Sequence, residues 1–200
     1  MKYTSGRSPQ VLLTERGIEQ ARYLGEALTS KIRDAVVYTP PAKRAEQTAL
    51  LILSQENSIE MGGTSEGLYE VGMGIWEGKP KDKLYKDEYQ KWKNLPASKK
   101  YVTPKVATGE SYYEASSRAL VNLDAIIEKE KGKTIFIISG ENVLNALAMR
   151  WTNPQFSKEP GSGLPMLPMD KCDLFMIEIP CGQSIENANL KMLIHVDKPR

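Results

Sequence analysis

The sequence Thr134-Ile135-Phe136-Ile137-Ile138-Ser139 is a continuous apolar run that follows a stretch with helical periodicity. An apolar run of this length after a helix predicts a central parallel strand that is buried on both faces of a sheet. The preceding residues, 111–131, carry a wide apolar stripe, which is typical of a long helix packed on a sheet. Residues 142–151 are predicted to form the next helix. Helix, strand and helix in this order indicate an α/β protein.

The N-terminal half predicts the same alternation. Thr14 caps a predicted helix at 15–29, in which apolar residues recur at helical spacing. A short β-rich run at 35–38 precedes a second predicted helix at 42–54, which begins after a pair of prolines. A first strand is predicted before Ser5. We therefore predict a three-layer α/β/α sandwich with a mostly parallel central sheet, in which ligands bind beyond the carboxyl ends of the strands.

The chain is predicted to form a single domain, 1–200, because 200 residues of which 40% are hydrophobic suffice for one substantial core. Gly62-Gly63 and the glycines that follow mark an irregular segment, 62–108, which we predict to be a lid or an insertion with a surface helix at 79–92. Residues 152–171 are rich in Pro, Gly and Met and predict a long loop. Two late strands are predicted at 174–179 and 190–196.

The charge balance and the cysteine content indicate which partners and which cellular compartment to expect. Lys and Arg number 27 against 25 Asp and Glu, and the formal charge of +2 argues against nucleic acid or a membrane surface as a partner. No apolar stretch reaches the roughly 20 residues of a membrane span. The two cysteines, Cys172 and Cys181, lack the spacing of a metal site. We therefore expect reduced thiols, no metal, no cofactor and a cytoplasmic protein.

Several short motifs stand in a fixed order along residues 11–150. They are Leu13-Thr14-Glu15-Arg16-Gly17 with Gln20-Ala21, the run from Tyr38 to Ala49, Leu68-Tyr69-Glu70 with Gly74, Trp76, Glu77 and Gly78, Gly109-Glu110-Ser111, and the strand from Thr134 to Ser139 with its helix. In this order and spacing they resemble the histidine phosphatase superfamily, whose members have a phosphoglycerate mutase-like fold. The C-terminal fifty residues match only as a pair of late strands.

The resemblance implies two catalytic histidines. In the family, the first belongs to an Arg-His-Gly motif at the end of the first strand and takes up the phosphoryl group, and the second follows a Ser after the later strand. In the best register, Ser5 stands at the first position and Gly140 at the second. The only histidine, His195, lies outside both motifs. A missing nucleophile costs on the order of 10⁶ in turnover, so the resemblance predicts a pseudoenzyme.

Two features of the family's site are retained. Arg44 matches the arginine that holds phosphoryl oxygens, and Glu70 matches the carboxylate that often protonates the leaving group. Each has a second interpretation: Arg44 as a solvated side chain at a helix start, and Glu70 as a structural carboxylate paired with Arg44 or a backbone amide. Arg7 is a candidate to replace the positive charge that is lost at Thr4.

Ser139 ends the predicted later strand, Glu141 and Asn142 follow it, and the three complete the predicted ligand-binding set. We expect Arg44 to form an anion site together with the amides that open the helix after Pro41 and the helix after Gly140. Glu141 opposes an anion with its negative charge unless it points into solvent.

The sequence supports three functional hypotheses. The first is a pseudoenzyme that binds a protein partner or a small anionic ligand bearing phosphate or carboxylate. The second is a divergent phosphatase, mutase or other hydrolase with a site rebuilt around Arg44, Glu70 and Glu141. The third is a structural subunit whose interaction surface is the Pro- and Met-rich loop 161–169. Fold alone does not decide between them, and homo-oligomerisation is open in each.

Overall fold

The computed structural model describes residues 3–28, 34–55, 59–81, 87–152, 174–179, 185 and 189–194. Helices and strands alternate through most of this part of the chain. The helices are α1 Glu15–Leu28, α2 Lys43–Leu53, α3 Glu88–Lys93, α4 Ala97–Val102, α5 Tyr112–Lys129 and α6 Glu141–Thr152, with short 3-10 turns at Glu66–Leu68 and Gly74–Trp76. The strands are β1 Ala35–Thr39, β2 Ile59–Thr64, β3 Thr134–Ile137, β4 Leu174–Glu178 and β5 Asn189–Ile194.

Three parallel strands form one sheet in the order β2-β1-β3. Every residue of β1 is buried, because this strand has a neighbour on each edge and is covered on both faces. Its β-branched and aromatic side chains suit such an environment. The predicted α/β class with a parallel sheet is confirmed.

Within the part of the chain that the structure describes, the prediction that 134–139 forms the central strand is wrong. Within the described residues, β3 stands at the end of the order, and Ile135, Phe136 and Ile137 are only half-buried. β1 holds the centre instead. An apolar run indicates that both faces of a strand are covered by other elements. It does not indicate whether the strand has a hydrogen-bonded neighbour on one edge or on both.

Alternate side chains of β1 enter two different cores. Val36 and Tyr38 pack with α5 and α6 in one cluster. Ala35 and Val37 pack with α1 and α2 in the other. Since successive side chains of a strand point to opposite faces, the two pairs of helices cover opposite faces of the sheet. This is the predicted three-layer arrangement, and the helices predicted in these four regions are confirmed.

α5 is the longest of the described helices, and its first turn fixes the backbone next to the site. Ser111 N donates to Glu114 Oε2 at 2.8 Å, and Glu114 N donates to Ser111 Oγ at 3.2 Å. This capping box satisfies amides that have no partner within the helix. Glu110 immediately precedes this capping box.

The prediction of a first strand before Ser5 is wrong for the described residues. Tyr3 forms an isolated antiparallel bridge with Pro80, outside the parallel sheet. Thr4 N donates to Lys79 O at 2.9 Å, and a turn in which Ser8 N donates to Ser5 O follows at once. Because the chain turns immediately after Thr4, Tyr3 and Thr4 lie against the segment around Lys79 and do not extend the sheet.

The segment 62–108 was predicted to be irregular from Gly62 onwards, but its first residues belong to strand β2. A Cβ atom on Gly62 would lie 2.3 Å from the ring of Tyr38, so glycine permits β2 to approach β1 closely. The predicted surface helix at 79–92 corresponds in the described residues to α3, and α4 follows it. The role of this segment as a lid stays a prediction.

The late strands β4 and β5 pair antiparallel and confirm the predicted strand pair. Nearby, the buried residue Ile185 accepts a hydrogen bond from Trp151 Nε1 at 2.8 Å and donates from its own amide to Asp124 at 3.1 Å. No helix within the described ranges is long and apolar enough to cross a membrane. The loop predicted at 152–171, including 161–169, lies outside the described residues except for Thr152, as do Cys172, Cys181 and His195.

Candidate functional site

Glu70 lies at the centre of the candidate site, where it caps α6 from outside the helix. Its Oε2 accepts hydrogen bonds from the backbone N of Asn142 at 3.1 Å and from Asn142 Nδ2 at 3.2 Å. Its Oε1 accepts from Val143 N at 3.2 Å and from Val71 N at 2.7 Å. Helix N-termini attract anions because their first amides lack partners and carry partial positive charge. The anion at this helix is a carboxylate of the protein itself.

Gly140 provides the space in which Glu70 lies. A Cβ atom at this position would be 2.5 Å from Glu70 Cδ and 2.5 Å from Glu70 Oε2. Ser139 contributes from the same turn, since its hydroxyl donates to Leu68 O at 2.6 Å and ties the backbone before Glu70 to the end of β3. The predicted residues Glu70, Ser139, Gly140 and Asn142 therefore meet at the carboxyl ends of β2 and β3.

Lys105 belongs to this site, although the sequence analysis did not identify it. Its Nζ lies 3.4 Å from Asn142 Oδ1, which also accepts a hydrogen bond from the hydroxyl of Tyr112 at 3.0 Å. The same Nζ lies 5.2 Å from the ring centroid of Trp92 and 4.9 Å from that of Tyr112. Burial lowers the pKa of Lys105, and the nearby carboxylates of Glu70 and Glu141 oppose this effect. A lone lysine in a loop carries no sequence signal that would have revealed this position.

Arg118 and Glu110 fix the backbone that carries Glu70. Arg118 donates to the carbonyls of Gly67 at 2.5 Å and Tyr69 at 3.1 Å, and its Nη2 lies 2.9 Å from Glu110 Oε2. Arg7 Nη2 lies 2.5 Å from Glu110 Oε1, and Arg7 Nε donates to Glu70 O at 3.3 Å. Burial alone raises the pKa of Glu110, but the hydrogen bonds from Arg118 and Arg7 outweigh it, so the pKa lies below its ordinary value.

Arg44 holds the N-terminal loop. Its Nη2 donates to Gly6 O at 2.7 Å and its Nη1 to Ser8 O at 2.8 Å. Two of its donors are thus used by backbone carbonyls, an arrangement that differs from both sequence interpretations. Its contact with an anion stays a prediction.

Ser5 and Glu141 are both exposed. Ser5 lies in the turn before Ser8 and outside the parallel sheet, so its position gives the alignment with the first histidine no support. Glu141 begins α6, next to Asn142, and its side chain reaches solvent. The correspondence of Ser5 and Gly140 with the family's histidines stays a prediction.

An open cleft with a volume of about 530 Å³ lies beside this network. Its wall carries the carboxylates of Glu77, Glu110 and Glu114 but only one guanidinium, that of Arg7. Charge complementarity in this cleft does not favour an anion. Within the described ranges, no group of three or more His, Cys, Asp and Glu side chains is arranged to hold a metal ion.

The parallel sheet with a helical layer on each face and a polar site beyond the strand ends places the chain in the phosphoglycerate mutase-like class of α/β proteins. A sequence profile of the histidine phosphatase superfamily (branch 1) matches residues 3–183, and the chain belongs to that superfamily.

Known relatives agree with this assignment. The chain is 28% identical over 152 residues to a metal-independent phosphoserine phosphatase of Arabidopsis thaliana, an alignment that covers 70% of the chain and 58% of that relative's length. The alpha-ribazole phosphatase of Shigella flexneri has 25% identity and a TM-score of 0.68, covering 99% of this chain and 91% of its own. A phosphoglycerate mutase of Bacillus anthracis has 21% identity and a TM-score of 0.60, covering 74% and 72%.

Proposed function

We propose that the chain is a non-catalytic member of the superfamily that binds a small anionic ligand or a protein partner and does not transfer phosphoryl groups through a phosphohistidine. The observation that carries this proposal is the position of Glu70. Its carboxylate fills the space at Gly140 and accepts hydrogen bonds from the first amides of α6.

A general acid has to present a proton to the leaving group of its substrate. Both oxygens of Glu70 instead accept N–H hydrogen bonds, from Asn142, Val143 and Val71. These contacts support the interpretation of Glu70 as a structural carboxylate. Of the two partners expected from the sequence, Arg44 and a backbone amide, these contacts involve backbone amides.

A substitute nucleophile lacks support as well. A serine hydroxyl requires a base within hydrogen-bonding reach. Ser5 is exposed, and no carboxylate of the described residues accepts a hydrogen bond from its hydroxyl. Without a nucleophile, the expected loss in turnover is on the order of 10⁶.

The second candidate function is that of a divergent phosphatase. The open cleft beside Arg7 and the phosphatase activity named for the Arabidopsis relative favour it. Such an enzyme would use either the site rebuilt around Arg44, Glu70 and Glu141 or the cleft of Arg7 with its carboxylates Glu77, Glu110 and Glu114.

Steady-state hydrolysis separates the two functions. The substrates are p-nitrophenyl phosphate, phosphoserine and phosphoglycerates, and the proteins are the wild type, Glu70→Gln and Arg7→Ala. We expect rates at the buffer background for all three proteins. A wild-type rate above background that disappears in Glu70→Gln or in Arg7→Ala would establish the divergent phosphatase.

A further inference from the structure

We infer that helices α3 and α4 present a docking surface for an acidic segment of a protein partner. The ammonium groups of Lys91 and Lys93 on α3 and of Lys99 and Lys100 on α4 form this basic surface. None of the four lines the open cleft or contacts Glu70. The inference rests on the proposed function, because it names the chemistry of the protein partner.

The charge of this segment differs from that of the whole chain. Residues 89–109 contain five lysines and no Asp, Glu or Arg, whereas the whole chain has a formal charge of +2. The remaining residues are therefore net negative. A local excess of one sign of charge attracts groups of the opposite sign even when the net charge of the protein is small.

The lysines of the basic surface lack the ion pairs that lysines at the end of α5 form. There, Lys129 and Lys133 both pair with Glu130, and Lys131 pairs with Glu128. In the described part of the chain, no carboxylate forms an ion pair with any of the four lysines of the basic surface. Three of the four are exposed, and the side chain of the fourth, Lys100, is half-buried. Their charge is therefore free to pair with carboxylates of a partner.

Trp92 holds α3 and α4 together in one surface. Its Nε1 donates to Thr103 O at 2.8 Å, and its ring stacks on that of Tyr89 at 5.9 Å and meets that of Tyr112 on α5 edge-on at 6.0 Å. Lys100 Nζ lies 5.8 Å from the centroid of the indole ring, so the lysines of α4 lie next to the two that flank Trp92 in α3. A surface fixed in this way loses little conformational entropy when a partner binds.

Val102 favours a protein segment over nucleic acid as the occupant. Its side chain is 40% exposed, and it lies one helical turn after Lys99 on the same side of α4. An exposed apolar side chain among ammonium groups can pack against apolar side chains of a protein but not against a phosphate backbone. The absence of arginine from 89–109 agrees, since arginine is the preferred residue for recognition of nucleic acid.

The test is fluorescence anisotropy with a labelled peptide of about 12 residues in which Asp and Glu are interspersed with Leu, and with a single-stranded oligodeoxynucleotide of equal charge. The wild type is expected to bind the peptide more tightly than the oligonucleotide. Its affinity for the peptide should fall between about 50 mM and about 200 mM NaCl, because salt screens exposed charges.

The double variant Lys91→Glu with Lys99→Glu is expected to bind the peptide about tenfold more weakly, because two attractive charges become repulsive. The matched control is Arg16→Glu with Arg22→Glu, which changes the net charge equally at exposed positions of α1, on the opposite face of the sheet from α5. It should weaken binding by less than about twofold. If the double variant does not fold, Lys91→Gln with Lys99→Gln should give a smaller loss in the same direction.

A wild type that does not bind the peptide at low salt would overturn the inference, as would an equal loss of affinity in the α1 control. Tighter binding of the oligonucleotide would assign the surface to nucleic acid instead. Self-association of the wild type in sedimentation velocity that Lys91→Glu with Lys99→Glu abolishes would assign it to a second copy of the chain. Turnover of phosphate esters would reject the proposed function and leave peptide binding intact, so the two failures are read from different measurements.

Discussion

The carboxyl group of Glu70 lies against Gly140 so closely that a side chain at position 140 would meet it at 2.5 Å. The two positions therefore constrain each other, although they are 70 residues apart in the chain. The first amides of α6 depend on this pairing, because Glu70 is the acceptor for two of them.

Gly140→Ala is expected to destabilise the fold by roughly 1–3 kcal/mol, because the added methyl group pushes Glu70 away from the helix terminus. Urea unfolding of the variant measures the loss. The control is a double-mutant cycle with Glu70→Ala, which removes two of the three closest atoms. The penalty of Gly140→Ala should be smaller in that background, and an equal penalty in both backgrounds would contradict the steric account.

Arg118→Ala is expected to destabilise the protein by about 1–3 kcal/mol, because it removes one of the two guanidinium partners of the partly buried Glu110 and a donor to the carbonyls of Gly67 and Tyr69. Arg118→Lys should recover only part of this, since an ammonium cannot match the forked geometry of a guanidinium. Denaturant midpoints of both variants provide the measurement. Full recovery by lysine would show that charge alone matters at this position.

Local elements and the site residues Glu70, Gly140 and Asn142 were predictable from the sequence, whereas contacts between residues distant in the chain were not. The buried side chains of α5 form an apolar stripe and those of β1 a β-rich run, and each pattern is complete within a short segment of sequence. Periodicity is therefore sufficient to identify both elements. The sequence does not predict the strand at Gly62, because the glycine is required there by the close approach of the ring of Tyr38, which is distant in the sequence. Lys105 was missed for a similar reason, since its partner Asn142 is 37 residues away. Only the fold brings such pairs together.

Glu130→Gln is expected to change how the free energy of unfolding depends on pH in the acid range. The pKa of Glu130 lies at about 2, below its ordinary 4.5, because hydrogen bonds from Lys133 and Tyr38 favour the charged carboxylate. A depressed pKa in the folded state means that the stabilisation is present above pH 4.5 and is lost as the pH falls through about 2. The free energy of unfolding of the wild type should therefore fall relative to that of Glu130→Gln as the pH is lowered from 4.5 to about 2.

Urea unfolding of the wild type and Glu130→Gln at a series of pH values measures that difference. Glu128→Gln is the control, since Glu128 is exposed and pairs with the exposed Lys131. A stability difference between wild type and Glu130→Gln that stays constant from pH 4.5 to pH 2 would contradict the assigned pKa.

Arg44→Ala is expected to release the N-terminal loop, because the carbonyls of Gly6 and Ser8 lose their donors. Hydrogen exchange should accelerate at the amides of Ser8 and Lys43, which bond within and to this loop. Amides of β1 should exchange at the wild-type rate. Unchanged hydrogen exchange in the loop would show that Arg44 does not stabilise it. The guanidinium of Arg44 would then be available to bind an anion.

The central claim is that no residue of this chain forms a phosphoenzyme. Intact-mass spectrometry after incubation with a phosphomonoester, such as p-nitrophenyl phosphate or phosphoserine, which does not phosphorylate imidazole by itself, tests it most directly, because it detects a covalent phosphoryl group whichever residue carries it. We expect the unmodified mass at every time point, before and after acid treatment. An adduct of one phosphoryl group that appears with time, whether or not acid removes it, would contradict the claim, and peptide mapping would then identify the nucleophile.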